Sequence, residues 1–188
     1  MTPQECIRAE HEYYIRNIST PQMAMSCEAA LDLFGLMDDH RPRALVDFGS
    51  GFSSFVLRWY AREIDPRALV CSVDDDVQWL GKTRDFLRYE GLNLDLMFTL
   101  DEFLSSNYRD GFDLVFYDLG NLGTRISNLP VALDALAFRG TIVFDDMHKP
   151  TLAQAVREEL RERNWSLISR KKETLDKFGR FVEIAHKT

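Results

Sequence analysis

The sequence contains few residues of the types that define several large classes of protein. Its three cysteines, Cys6, Cys27 and Cys71, are scattered and form no Cys-x-x-Cys pair, which argues against a disulfide framework or a zinc site and indicates reduced thiols. Only 10 Gly and 6 Pro occur in 188 residues, which excludes collagen-like and low-complexity chains. No apolar run approaches the roughly 18 residues of a membrane span, and no secretory apolar segment is present. We therefore expect a cytoplasmic protein without a membrane partner.

Basic residues are fewer than acidic residues. The chain has 23 Lys and Arg against 30 Asp and Glu, which gives a formal net charge of -7. Proteins that bind nucleic acid through its phosphates usually have the opposite balance, so we expect no nucleic-acid partner. What the chain does have is an ordinary globular composition, with 45% hydrophobic residues, and a length that fits a single domain.

The hydrophobic pattern predicts an α/β fold. Two helical segments occupy residues 1–40, and from residue 43 short apolar runs alternate with amphipathic segments. Such runs, apolar on both faces and separated by helices, indicate a parallel sheet that is covered on both sides. Two final runs, 165–169 and 178–185, have no helix predicted between them and should form an antiparallel hairpin. The predicted strands before this hairpin are 44–46, 68–73, 94–100, 112–117 and 141–144.

Small and acidic residues follow the first two predicted strands. In an open α/β sheet a ligand lies beyond the carboxyl ends of the strands. The first strand leads into residues 47–54, Asp-Phe-Gly-Ser-Gly-Phe-Ser-Ser, whose glycines permit a tight turn against a ligand. The second strand ends at Asp74, which could accept hydrogen bonds from a ribose diol. The alternative is that Asp74 and Asp75 are solvated and Asp76 caps the next helix.

The glycine spacing also bears on the class of ligand. A dinucleotide site favours Gly-x-Gly-x-x-Gly, but Ser54 stands where the third glycine would be. Asp47 precedes the loop, where a carboxylate would repel a pyrophosphate but suits a ligand that carries an ammonium and a sulfonium. These features argue against an oxidoreductase with a nucleotide cofactor.

Four strand ends, in order, resemble the motifs of class I S-adenosylmethionine-dependent methyltransferases. Residues 47–54 are similar to motif I of that class, Val73-Asp74 to its acidic second strand end, 112–118 to its fourth strand and 140–146 to its fifth. The C-terminal hairpin is similar to strands six and seven. The resemblance implies a doubly wound, mostly parallel, seven-stranded Rossmann-like sheet of order 3-2-1-4-5-7-6, in one domain of residues 1–188 with its core over 43–188. Small O-methyltransferases are the most similar group.

The resemblance implies an S-adenosylmethionine site. Asp47 and the Gly49–Gly51 loop would hold the methionyl portion, and Asp74 the ribose. Asp101 would contact the adenine amine or, alternatively, cap a helix, and Ser26 lies in a segment that those enzymes fold over the cofactor or is simply a buried helix residue. The full set of predicted cofactor residues is Ser26, Asp47, Gly49, Ser50, Gly51, Ser53, Asp74, Asp75, Asp101 and Asp118.

Asp118, Asp145 and Asp146 raise the question of a metal. If strands four and five are neighbours, as the resemblance implies, three carboxyl groups converge, and they repel unless a cation or proton intervenes. Oxygen ligands of this kind favour Mg²⁺ or another divalent cation, as in catechol-type methyltransferases. Those enzymes usually have Asn where this chain has Asp146, and a lysine base where it has Asn121. In the alternative, Asp118 contacts the cofactor ammonium, and Asp145 or His148 is the catalytic base.

Three functions remain open at this stage. The first is methyl transfer by in-line displacement to a small-molecule acceptor, at oxygen. The second is a non-catalytic S-adenosylmethionine-binding subunit or sensor, and the third is the disfavoured oxidoreductase. The N-terminal helices offer a surface for a homodimer. Trp59, Trp79 and Trp165 are interpreted as packing residues, and the basic tip over 170–180 as a solvated turn or, alternatively, an attractant for an acidic substrate.

Overall fold

Residues 2–40 contain two helices in a computed structural model, which describes residues 2–188. Helix α1 (Pro3–Asn17) begins at a capping box, in which the Thr2 hydroxyl accepts from the Glu5 amide and the Glu5 carboxylate accepts from the Thr2 amide. Helix α2 (Cys27–His40) begins after Ser26, whose hydroxyl accepts a hydrogen bond from a backbone amide one turn later. Both caps satisfy amides that have no partner within the helix.

Seven strands form one sheet in the order β3-β2-β1-β4-β5-β7-β6. The strands are β1 (Ala44–Phe48), β2 (Leu69–Asp74), β3 (Met97–Thr99), β4 (Phe112–Tyr117), β5 (Leu136–Phe144), β6 (Leu167–Ser169) and β7 (Glu183–His186). Pairing is parallel from β3 through β5, whereas β7 is antiparallel to both β5 and β6. The predicted doubly wound sheet, its strand order and its antiparallel C-terminal hairpin are therefore confirmed.

The hydrophobic core lies in two layers, one on each face of the sheet. The remaining helices are α3 (Phe52–Glu63), α4 (Val77–Tyr89), α5 (Leu100–Ser105), α6 (Leu122–Ser127), α7 (Leu129–Asp134), α8 (Pro150–Glu162) and α9 (Lys171–Thr174). Because successive strand residues point to opposite faces, Leu45 of β1 packs in the layer that contains α1 to α4, while Val46 and Phe48 pack with α5, α7 and α8. Burial on both faces explains the continuous apolar runs of the strands.

The structure differs from the predicted elements in several places. Strand β7 begins at Glu183 and not at residue 178, because the amides of Phe178 and Arg180 donate to the Asp176 side chain in a turn. Strand β3 is shorter than 94–100, because Leu96 adopts a left-handed backbone with φ 55° just before it. Strand β5 begins at Leu136 instead of residue 141, because Leu136 pairs with Phe112 of β4. Helix α6 was not predicted, and it is capped by Asn121, whose side chain accepts from two backbone amides. The prediction that no helix joins the last two strands is wrong, since α9 lies there.

The order of the strands reverses between β1 and β4. The chain moves outward from β1 through β2 to β3 and then returns to the other side of β1 at β4. The loops that follow these parallel strands therefore meet at one edge, at the point where open α/β sheets bind ligands. Among residues 2–188, no helix combines the length and the apolar composition that a membrane crossing requires.

Candidate functional site

A cavity of about 430 Å³ opens at the carboxyl ends of β1, β2 and β4. This volume lies within the range of roughly 300–1,000 Å³ that is typical of small-molecule sites. The cavity is lined by residues 49–53 after β1, residues 74–76 after β2, and Asp118, Gly120 and Asn121 after β4. It thus occupies the switch point at which the sequence predicts a ligand.

Gly49 allows the loop after β1 to pass close to β4. Its backbone adopts φ +95°, a conformation that favours glycine. A Cβ atom at this position would overlap the backbone carbonyl of Asp118. Both the backbone angle and the close approach therefore require glycine here.

Asp47 is fully buried beneath the loop instead of facing the cavity. Its carboxylate accepts hydrogen bonds from the hydroxyls of Ser53 at 2.8 Å and Ser54 at 2.6 Å, and from Ser72. Burial raises the pKa of Asp47, while the nearby Arg58 guanidinium and these hydroxyls oppose the shift. The structure thus gives Asp47 the task of holding the loop, and its predicted contact with a methionyl group stays a prediction.

Arg58 is the buried counter-charge of this network, and sequence reasoning missed it. The side chain is almost fully buried on α3. Its guanidinium donates to the Ser72 hydroxyl at 2.7 Å and to the Asn93 carbonyl at 2.8 Å. Because the Ser72 hydroxyl in turn donates to Asp47, a single hydroxyl links the Arg58 guanidinium to that carboxylate by hydrogen bonds.

Asp74 lies at the cavity wall and is tied to the loop after β1. Its Oδ2 atom accepts from the Ser50 amide at 2.7 Å and from the Ser50 hydroxyl at 2.6 Å, and its Oδ1 atom accepts from the Asp76 amide. Burial raises the pKa of Asp74, and the bonds from Ser50 counteract this. The alternative in which Asp74 is solvated is wrong, since the residue is only 3% exposed. Asp75 is exposed at the rim, and Asp76 does cap α4.

Two aromatic residues that line the cavity were also missed. The Trp79 indole N–H donates to the Ser50 carbonyl at 2.7 Å, so its role exceeds the packing that the sequence suggested. Its place one turn into the helix after β2 was an available signal. Tyr14 is buried on α1 against Phe52, and its hydroxyl lies beside Gly51. No local pattern marks a residue that reaches the cavity from α1.

Residues 19–26, which we call the strap, cross one side of the cavity through Met23, Ala24 and Met25. The Arg180 guanidinium, from the loop before β7, fixes the strap by donating to three of its carbonyls at 2.8–3.0 Å, those of Pro21, Gln22 and Ala24. Its Nε atom also donates to Asp176. Arg180 is therefore engaged within the protein, which disfavours it as an attractant for an acidic substrate.

Two predicted cofactor residues lie outside the cavity lining. Ser26 is the last residue of the strap; it is buried, caps α2 and does not line the cavity. Asp101 is exposed in the first turn of α5. The alternative of Asp101 as the helix cap is wrong, because Thr99 caps α5 with its hydroxyl.

Asp118, Asp145 and Asp146 do come together, as predicted for neighbouring strands, and a cation of the protein lies among them. Arg125 of α6 is buried and forms ion pairs with Asp118 and, at 3.1 Å, with Asp146. Lys149 also pairs with Asp146. The Asp146 amide donates to Asp145 at 2.6 Å.

The three carboxyl groups differ in their tendency to ionise. Burial, together with the nearby Asp118 and Asp146, raises the pKa of Asp145 to about 8. Burial also raises the pKa of Asp118 to about 6, against the effect of Arg125. Burial acts in the same sense on Asp146, but Lys149 and Arg125 outweigh it and hold the pKa of Asp146 below its usual range.

This arrangement does not fit a divalent metal. Within residues 2–188, no three His, Cys, Asp or Glu side chains are placed so that they could hold a metal ion together. Arg125 and Lys149 already neutralise Asp118 and Asp146, so a further double positive charge would meet repulsion. His148 lies at the margin of the cluster, with Nδ1 3.5 Å from an Asp146 oxygen.

Comparison with solved structures identifies the fold. TomG, an O-methyltransferase of Streptomyces achromogenes solved with S-adenosylmethionine, is 17% identical with a TM-score of 0.69, covering 100% of this chain and 99% of that one. An O-methyltransferase of Bacillus cereus, solved with S-adenosylhomocysteine, is 16% identical with a TM-score of 0.70, covering 98% and 90%. A Geobacter sulfurreducens methyltransferase is 18% identical with a TM-score of 0.68, covering 100% and 93%.

Comparisons by sequence find no relative: no family model and no curated protein matches the chain. At the identities above, the structural likeness establishes the fold alone. The chain has the fold of class I S-adenosylmethionine-dependent methyltransferases, with small O-methyltransferases among its neighbours. The resemblance inferred from the strand-end motifs is confirmed at this level.

Proposed function

We propose that the protein transfers the methyl group of S-adenosylmethionine to an oxygen atom of a small-molecule acceptor. The observation that carries this proposal is the cavity at the switch point, where the Gly49 loop and Asp74 meet under the strap. Two proteins of the same fold are O-methyltransferases solved with the cofactor or its demethylated product. The same edge of the sheet would hold the cofactor here.

The charge of the cavity favours this cofactor. Four aspartates line it, Asp74, Asp75, Asp76 and Asp118, against a single cation, Arg125, which pairs with Asp118. The remaining excess of carboxylates attracts an ammonium and a sulfonium and repels a pyrophosphate. We assign the ribose to Asp74, the methionyl ammonium to Asp118 and the adenine to the half-buried face of Trp79. This electrostatic argument disfavours a dinucleotide oxidoreductase.

The transfer itself needs alignment and one proton acceptor. The acceptor oxygen attacks the methyl carbon, the bond from carbon to the sulfonium breaks, and S-adenosylhomocysteine leaves as a neutral thioether. The acceptor proton passes to Asp145 or to His148, which are the candidate bases. The strap, held by Arg180, would keep water away from the reacting atoms.

A non-catalytic S-adenosylmethionine-binding subunit is the second candidate. One observation favours it: both Asp145 and His148 lie outside the cavity lining. If the protein is a methyltransferase, the acceptor must reach Asp145 or His148 from a cavity that neither residue lines. The two candidates share the cofactor site and differ only in turnover.

Methyl transfer tests the proposal directly. The protein is incubated with methyl-labelled S-adenosylmethionine and a panel of hydroxylated and carboxylated small molecules, and S-adenosylhomocysteine and labelled products are measured. The proposal predicts label on an oxygen atom of at least one compound, and loss of that label with Asp74→Ala. Cofactor binding without turnover on the whole panel would favour the non-catalytic candidate, and absence of binding would contradict both.

Trp79→Phe is expected to weaken S-adenosylhomocysteine binding about three- to tenfold. The variant loses the hydrogen bond from the indole to the Ser50 carbonyl, worth about 1 kcal/mol, and leaves the loop less fixed. Isothermal titration calorimetry measures the change. Trp165→Phe, on the other face of the sheet, is the matched control and should leave the dissociation constant unchanged. Equal effects of the two variants would contradict the assignment of Trp79.

Asp145→Asn is expected to lower kcat by about 10²- to 10⁴-fold and to remove the rising limb of the pH profile. In the parent protein, the base acts when deprotonated, so the rate should rise through the pKa of Asp145 at about 8. Burial is the main cause of this raised pKa, Asp118 and Asp146 add to it, and Arg125 opposes it. A limb that persists in the variant would assign the base to His148.

Ionisation of Asp145 should also lower the stability of the folded protein. The pKa of Asp145 is higher in the folded state than the value of about 3.9 in an unfolded chain, so the folded state binds more protons between these values. Its contribution to stability therefore falls as the pH rises from about 4 to about 8. Melting temperatures across this interval should fall less in Asp145→Asn than in the parent, and identical slopes would contradict the raised pKa.

A further inference from the structure

The side chain of Arg125 lies where the fold brings three carboxyl groups together. Helix α6, capped by Asn121, delivers it to the edge formed by the ends of β4 and β5. The side chain is only 6% exposed. It forms ion pairs with one carboxylate from each strand end, Asp118 and Asp146.

The guanidinium has almost no capacity left for a substrate. An arginine side chain has five N–H donors. In addition to the two carboxylates, Nε donates to the Leu119 carbonyl, and Nη2 donates to the carbonyls of Asp118 and Gly120, each at 3.2 Å. The bonds thus run to both strand ends and to the turn between β4 and α6. This pattern is typical of an arginine that stabilises the fold and not of one that binds a substrate.

The positive charges of the protein already neutralise the ionised carboxylates of the cluster. The two positive charges of Arg125 and Lys149 match Asp118 and Asp146 when these are ionised. The third carboxyl, Asp145, is buried beside them and makes no ion pair with either cation, accepting instead from a backbone amide. A divalent cation would have to displace the guanidinium from the centre of the cluster.

We propose that Arg125 takes the place of a divalent metal at this strand edge, as a resident cation that positions Asp118 and the turn after β4. The protein therefore keeps the three aspartates together without binding a metal. This inference rests on the contacts of Arg125 and does not depend on methyl transfer. Arg125 also lines the cavity, but we class it as a positioning residue because its donors are engaged by Asp118, Asp146 and the turn after β4.

The carboxyl groups are not placed to hold a metal while Arg125 lies among them, and removal of the guanidinium should allow them to close around one. Arg125→Ala leaves the carboxylates buried and without their shared counter-charge, which is strongly destabilising. In the presence of a chelator we expect its melting temperature to fall by about 10 °C. Mn²⁺, which favours oxygen ligands, should bind the variant and restore at least half of that loss.

Mn²⁺ binding and melting temperature are compared for the full-length parent and five variants, all without cofactor. The variants are Arg125→Ala, Arg125→Gln, Arg125→Lys, Asp146→Asn and Arg125→Ala/Asp146→Asn. The proposal predicts no binding by the parent or by the lysine variant, rescue of the alanine or glutamine variant by Mn²⁺, and loss of rescue in the double variant. Binding of Mn²⁺ by the parent that Asp146→Asn abolishes would overturn the proposal, even if no Arg125 variant folds. A folded Arg125→Ala that Mn²⁺ neither binds nor stabilises would also overturn it.

Discussion

Gly49→Ala is expected to abolish detectable S-adenosylhomocysteine binding and to lower the free energy of unfolding by about 2–5 kcal/mol. The left-handed backbone at φ +95° costs a residue with a Cβ atom about 1–2 kcal/mol. The overlap of that Cβ with the Asp118 carbonyl adds about 1–3 kcal/mol of overpacking. Relief of the overlap must move either the loop after β1 or the end of β4, and both line the cavity.

Gly81→Ala supplies the matched control for this prediction. Gly81 lies within α4, and a Cβ atom there would meet no heavy atom within 4 Å. The same change should stabilise the protein by about 0.5–1 kcal/mol and leave binding intact. Urea unfolding and calorimetric titration of both variants provide the measurement. A Gly49→Ala variant that binds S-adenosylhomocysteine as the parent does would show that the close approach of the loop is unimportant.

Arg58→Met is expected to lower the free energy of unfolding by about 3–5 kcal/mol, because it leaves the fully buried Asp47 carboxylate without its counter-charge. Burial already raises the pKa of Asp47, and loss of Arg58 should raise it further. The cost should therefore diminish as the pH falls through the raised pKa of Asp47, above the usual range of an aspartate, because protonation removes the unpaired charge. Urea unfolding at several pH values measures both effects.

Two further variants isolate the interaction with Asp47. Arg62→Met, on the exposed side of the same helix, should change stability by no more than about 0.5 kcal/mol. Asp47→Asn/Arg58→Met should recover part of the loss, which gives a coupling energy through a double-mutant cycle. An Arg58→Met penalty that is equal at all pH values, and that is unchanged when Asp47→Asn is also present, would contradict the role given to this buried pair.

The sequence predicts the parts of the site that depend on local pattern. Gly49 and Asp74 were identified because each follows a short apolar run, and in a parallel sheet all such ends meet at one edge. The strand order followed from the resemblance of the motifs. These inferences need only the direction and the alternation of the elements, both of which the hydrophobic pattern carries.

The residue roles that were missed depend on contacts between distant segments. Arg58 reaches Asp47 through a hydroxyl on β2, Arg180 holds carbonyls more than 150 residues away in the sequence, and Tyr14 enters the cavity from α1. Neither spacing nor composition distinguishes these side chains from ordinary surface or core residues. The convergence of Asp118, Asp145 and Asp146 was predicted with a divalent metal as a possible cation. The sequence did not indicate that the Arg125 guanidinium lies among them.

The central claim is that the edge at Asp74 binds S-adenosylmethionine, and calorimetric titration of S-adenosylhomocysteine tests it most directly. The parent should bind one equivalent, and Asp74→Asn should bind about 100-fold more weakly, because a charged acceptor of ribose hydroxyls is lost. Asp85→Asn, on the exposed face of α4, should bind as the parent does. Absence of binding by the parent, or equal affinities for all three proteins, would contradict the account.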